Sequence, residues 1–101
     1  MRKTSRIYLD TNILVAYYAT DKSEADKKKA VFQSLDAFKE IAEVKLFTSM
    51  WAIAEMINVL VSSKKMERVE VAEIESRLIS ERRIGGLKIG LLEVSSQKDY
   101  D

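Results

Sequence analysis

The chain has no cysteine, no histidine and no proline, and only 3 glycines among 101 residues. Without cysteine there is no disulfide staple and no thiol nucleophile, and without Cys and His there is no zinc site of the usual kind. Without histidine there is no imidazole acid–base chemistry. Neither sign of charge dominates: 17 Lys and Arg stand against 16 Asp and Glu, for a net charge of +1. The chain as a whole therefore has no large field pointing to a nucleic-acid or membrane partner. Any chemistry falls to carboxylates, lysine, arginine, tyrosine, hydroxyls, or a metal held by oxygen.

Long apolar runs are also scarce. The basic start, Met1 to Arg6, is followed by an apolar stretch that Asp10 and Asn12 interrupt, and no small-residue cleavage site follows. Met50 to Val61 is apolar, but it contains Glu55 and Asn58 and is too short to span a bilayer. The expectation is a cytoplasmic protein with no membrane partner. With 47% hydrophobic and 33% charged residues, the composition fits one small globular domain, residues 1–101, and argues against disorder.

Hydrophobic periodicity gives the order of elements. Arg6 to Asp10 reads as a strand and Thr11 to Thr20 as a turn into a short helix. Ser23 with Asp26 reads as a capping-box start for a helix whose apolar face is Val31, Leu35, Phe38 and Ala42. Val44 to Thr48 reads as a second strand, and Ser49 as the cap of a helix from Met50 to about Lys65. Glu67 to Arg83 reads as an amphipathic helix with Val71, Ile74 and Leu78 inward, stopped by Gly85 and Gly86. Leu87 to Val94 reads as a third strand, and a polar tail follows. The order β-α-α-β-α-α-β predicts an α/β fold with a parallel β-sheet covered by helices. In such sheets ligands bind beyond the carboxyl ends of the strands.

Two acids stand apart. Asp10 is the only charged residue between Ile7 and Thr20, and Glu55 the only one between Leu46 and Ser63. A carboxylate in apolar surroundings is costly unless it is paired, hydrogen-bonded or bound to a metal. Asp10 falls at the end of the first strand. Glu55 falls on the helix after the second strand, with Trp51, Asn58 and Ser62 along the same stripe. Each acid alone also fits a structural role, Asp10 as a helix cap and Glu55 as half of an ion pair. Both together, at matching positions of successive crossovers, favour an oxygen-ligated divalent cation such as Mg²⁺ or Mn²⁺.

These residues also carry a resemblance. Ile7-Tyr8-Leu9-Asp10-Thr11-Asn12 resembles the opening strand of a PIN domain, with its Asp-x-Asn at the strand end. Thr48-Ser49 followed by Trp51 to Glu55 and Asn58 to Leu60 resembles that family's second motif, a Ser/Thr and then an acid in a helix. The likeness follows the chain in order from end to end. It implies a Mg²⁺- or Mn²⁺-dependent ribonuclease like VapC-type toxins, with Asp10 and Glu55 catalytic and metal-ligating. It also implies that Asn12 orients Asp10 or a metal-bound water, and that Thr48 or Ser49 supports the site. RNA as substrate and an antitoxin protein as partner are implied in the same way, and a homodimer is expected from the apolar surface of the tyrosines and the Met-rich helix and from an unfinished sheet.

The chain departs from the family by ending after the third strand, where PIN domains continue with a helix carrying further acids. It therefore resembles the amino-terminal portion of the fold, and weak cleavage is expected. Asp99 and Asp101 are the only late Asp residues, in a polar tail without a helical frame. The alternative reading is a non-catalytic PIN-like fragment that binds protein or RNA or dimerises. An aspartyl-nucleophile phosphatase fits less well, because Asn12 stands where that class needs a second acid. The clusters Lys27-Lys28-Lys29, Lys64-Lys65 and Arg82-Arg83 read as solvated helix faces among interleaved acids.

Overall fold

A computed structural model describes residues 5–41 and 43–92. In chain order the elements are β1 (Ser5–Tyr8), α1 (Thr11–Tyr18), a 3₁₀ turn (Lys22–Glu24), α2 (Ala25–Phe38), β2 (Val44–Ser49), α3 (Met50–Ser62), α4 (Arg68–Glu81), β3 (Arg83–Ile84) and β4 (Leu87–Leu92). The sheet order is β1-β2-β4-β3. β1 and β2 pair in parallel, β2 and β4 pair in parallel, and β3 runs antiparallel to β4.

The sequence expectation of an α/β fold with parallel strands linked by helix pairs holds for β1, β2 and β4. Two corrections apply. The sheet is mixed, because Arg83 and Ile84 leave the expected helix and form a fourth, two-residue strand. Gly85 and Gly86 do not stop α4. They form the two-residue turn between β3 and β4, both at positive φ, as a type I′ hairpin turn requires. Arg82 ends α4 instead, in the left-handed region at φ 53°, with its N–H donating to the Leu78 carbonyl.

Two helix ends also differ from expectation. Ser23 does not cap α2. It lies inside the 3₁₀ turn, and its hydroxyl donates backward to Asp21. α3 stops at Ser62 rather than near Lys65, where the backbone has turned left-handed at φ 58°. Val94 and Ala42 lie outside the described residues.

One face of the sheet carries the core. Ile7, Leu46 and Ile89 stand in register across β1, β2 and β4. Against them pack Leu14 and Val15 of α1, Leu35 of α2, Ile53, Met56 and Leu60 of α3, and Val71 and Leu78 of α4. This one-sidedness follows from topology. Strands β1, β2 and β4 advance in one direction, and right-handed crossovers then place every connecting helix on the same face. Tyr17 and Tyr18 close the end of α1 in edge-to-face contact, and burial pushes the Tyr18 hydroxyl up to about 12, with Tyr17 and then Glu81 adding to the shift. Among the described residues no helix is long and apolar enough to cross a membrane.

Several lysines serve the fold rather than the solvent. Lys28 donates to the Tyr17 carbonyl at 2.8 Å. Lys64, beyond the end of α3, reaches Glu24 at 2.7 Å and Asp21 at 3.4 Å, tying α3 to the start of α2. The Ser23 hydroxyl chiefly, and then Lys64, hold the Asp21 carboxyl below its ordinary 3.8. The Glu24 hydrogen bond chiefly, and then Asp21, hold Lys64 above its ordinary 10.5.

The sign of the pH dependence follows. Stabilisation through Asp21 is present above pH 3.8 and lost as pH falls through its lowered pKa. Stabilisation through Lys64 is full below pH 10.5 and lost as pH rises through its raised pKa. Lys64→Met is predicted to melt below wild type by circular dichroism. The gap is widest between those limits and narrows beyond each; a gap constant across the whole range would contradict the ion-pair account.

Candidate active site

β1 and β2 are adjacent and parallel, so the chain leaves both at the same edge of the sheet. At that edge Leu9 is pinned by both of its backbone groups. Its N–H donates to the Phe47 carbonyl at 2.7 Å, and its carbonyl accepts the Thr48 hydroxyl at 2.8 Å. Asp10 follows directly. Its Oδ1 accepts the Ile13 N–H at 3.1 Å, so it is the N-cap of α1. The positive end of the helix dipole suits a carboxylate there.

α3 starts in a matching way. Ser49 caps it, with its Oγ accepting the Ala52 N–H at 3.0 Å, and the same Oγ lies 2.7 Å from the Tyr8 hydroxyl. The helix then buries Ile53, Met56 and Leu60 and turns Glu55 and Asn58 outward. Glu55 meets the first residue of α1: the Thr11 hydroxyl donates to Glu55 Oε1 at 2.8 Å.

Asp10, Asn12 and Glu55 therefore line a single cleft of about 470 Å³, together with Thr11, Asn58 and Val59. The expected meeting of Asp10 and Glu55 at successive crossovers is seen in this geometry. One expectation is corrected. Neither acid is enclosed by the apolar neighbours it has in sequence; both are exposed. Asp10 stands past the strand end, and Glu55 lies on the outward stripe of α3. Asp10 also fills the cap role set out as its structural alternative, through one of its two oxygens.

Thr48 and Ser49 do not line the cleft. Both are buried and act one step behind it, Thr48 on the Leu9 carbonyl and Ser49 on the start of α3. Trp51 is 60% exposed and does not fill the core. Sequence reasoning passed over Thr11 as a site residue. Its only signal was its place between Asp10 and Asn12.

The lining is all oxygen and amide in its polar part, the ligand chemistry that Mg²⁺ and Mn²⁺ prefer. Each carboxylate has one oxygen committed to the protein and a second without a partner among the described residues. The residues present fit a loosely held hard cation. Among the described residues no group of three or more acids converges to hold one. Asp99 and Asp101 lie outside the described residues.

No protein-family model matches this sequence. No curated protein matches it.

Proposed function

We propose that this chain is a metal-dependent ribonuclease of PIN type, akin to VapC-type toxins, with Asp10 and Glu55 holding the metal. One observation carries the reading: two carboxylates from successive crossovers line one cleft, each with an oxygen that has no partner among the described residues. A bound Mg²⁺ or Mn²⁺ supplies activation of a water for attack on a phosphodiester and neutralises charge on the phosphate.

The chain's own residues set the geometry. The Ile13 N–H fixes Asp10 through Oδ1 and leaves Oδ2 without a partner among the described residues. The Thr11 hydroxyl fixes Glu55 in the same way. Asn12 and Asn58 offer amide donors and acceptors to orient water or phosphate oxygens. The proposed setting is the cytoplasm, with RNA as substrate and a second copy or an antitoxin-like protein as partner.

A second reading is a non-catalytic PIN-like binding module. The finding that favours it is the pair of carboxylates without a converging third acid among the described residues.

Two measurements test this reading. Asp10→Asn keeps a good cap residue but removes the charge. By calorimetry, Asp10→Asn and Glu55→Gln should each weaken Mn²⁺ binding by at least about 10-fold, the effect of losing even an outer partner of a metal ligand. Unchanged affinity would sink the metal site.

In a cleavage assay on single-stranded RNA the chain should be slow but Mn²⁺-dependent, and Glu55→Gln should abolish the activity. Two carboxylates leave the ion loosely placed, and misplacement by about 1 Å costs on the order of 100-fold in rate. Metal binding with no cleavage at all would favour the binding module.

A further inference from the structure

The face of the sheet opposite the core has a pattern that the cleft does not use. Arg6 on β1 stands beside Lys45 on β2. One residue back along the β2–β4 register, Lys45 stands beside Lys88, and Lys88 pairs with Arg83 on β3. Four cations thus form one row across all four strands. At the strand spacing of about 4.8 Å the row spans about 14 Å. Like charges directly opposite each other in a sheet are destabilising. Among the described residues none of the four meets an acid; the Arg83 guanidinium donates instead to the Gly86 carbonyl at 3.1 Å. The net charge of +1 conceals this row, because acids elsewhere balance it.

The next row on the same face is aromatic. Tyr8 and Phe47 are register partners, and Gly90 lies beside Phe47 on β4. A Cβ at Gly90 would lie 2.7 Å from the Phe47 ring, so the ring leans over the glycine. The Tyr8 ring is held by its hydroxyl at Ser49 and remains 46% exposed. Arg6, Tyr8, Phe47 and Leu92 surround a shallow depression of about 230 Å³. Topology leaves this face without helices among the described residues, since the right-handed crossovers all fall on the other side.

We infer that this face binds a single-stranded polynucleotide, with bases stacked on Tyr8 and Phe47 and phosphates along the row Arg6, Lys45, Lys88 and Arg83. A half-exposed Tyr8 ring and a partly exposed Phe47 ring, beside a line of cations that meet no acid among the described residues, offer what single-stranded nucleic acid requires, because every base has a π-face and every nucleotide a phosphate. An acidic peptide would match the charge but not the rings. A second copy would bring one cation row against another. The inference goes beyond the ribonuclease reading: it concerns other residues and stands even if the cleft binds no metal.

The test is fluorescence anisotropy of a fluorescein-labelled 12-nucleotide oligouridylate with the full chain in chelator, so that neither metal binding nor cleavage contributes. Wild type is expected to bind at low salt, with log affinity falling against log salt at a slope of about −3, from four contacts at about 0.7 each. Tyr8→Ala and Phe47→Ala are each expected to weaken binding about 10-fold, whereas Phe47→Tyr retains it. Lys45→Ala with Lys88→Ala is expected to halve the slope. Thermal melts of the same variants confirm that they fold. The inference is overturned if wild type does not bind, if both alanine variants bind like wild type, or if polyglutamate binds as tightly as the oligonucleotide. It is equally overturned if sedimentation shows a dimer that Phe47→Ala dissociates. Failure here leaves the cleft untouched, and calorimetry with Mn²⁺ reads that site separately.

Discussion

The hydrogen bond from the Thr48 hydroxyl to the Leu9 carbonyl holds the two crossovers in one frame. Thr48 is fully buried, and a buried carbonyl left without its donor costs about 1–3 kcal/mol. With the Leu9 N–H on Phe47, it leaves the residue before Asp10 no freedom to rotate. Ser49 completes the frame from the next position by capping α3 and contacting Tyr8. One dipeptide at the end of β2 thus sets where α1 begins and where α3 begins. Asp10 and Glu55 ride on those two helices, and the Thr11–Glu55 hydrogen bond closes the arrangement from the other side.

The same topology divides the sheet into two unlike faces. Strands added in one direction with crossovers of one hand bury one face under four helices and, among the described residues, leave the other without them. On the covered face, apolar side chains from all four strands share a core with the helices. On the other face, cations and aromatic rings stand in rows that only strand pairing creates. Both faces end at the edge where the cleft lies, since Tyr8 precedes Asp10 by two residues.

Much of this was legible in the sequence, for physical reasons that differ by residue. Asp10 and Glu55 were visible because each is alone in an apolar segment, and Ser49 because a hydroxyl before an apolar helix is a capping signal. Their exposure was not visible, because sequence neighbours are not spatial neighbours on a helix with one outward stripe. The Gly85-Gly86 hairpin was misread because a helix stop and a type I′ turn both call for glycine at positive φ. The strand before it has two residues, too few to show a period. Thr48 acts across 39 positions on a backbone carbonyl, and no local pattern records that. The cation row joins residues 6, 45, 83 and 88, which only the register brings together.

The central claim is that Asp10 and Glu55 form one divalent-cation site at the sheet edge. Paramagnetic broadening tests it most directly. Substoichiometric Mn²⁺ is added to the ¹⁵N-labelled chain, and amide signals are followed residue by residue. The account predicts that Thr11 to Ile13 and Glu55 to Val59 lose intensity first and together, and that excess Mg²⁺ restores them. Loss beginning instead around Asp21 and Glu24, the two acids that share Lys64, or loss spread evenly over the surface, would contradict it.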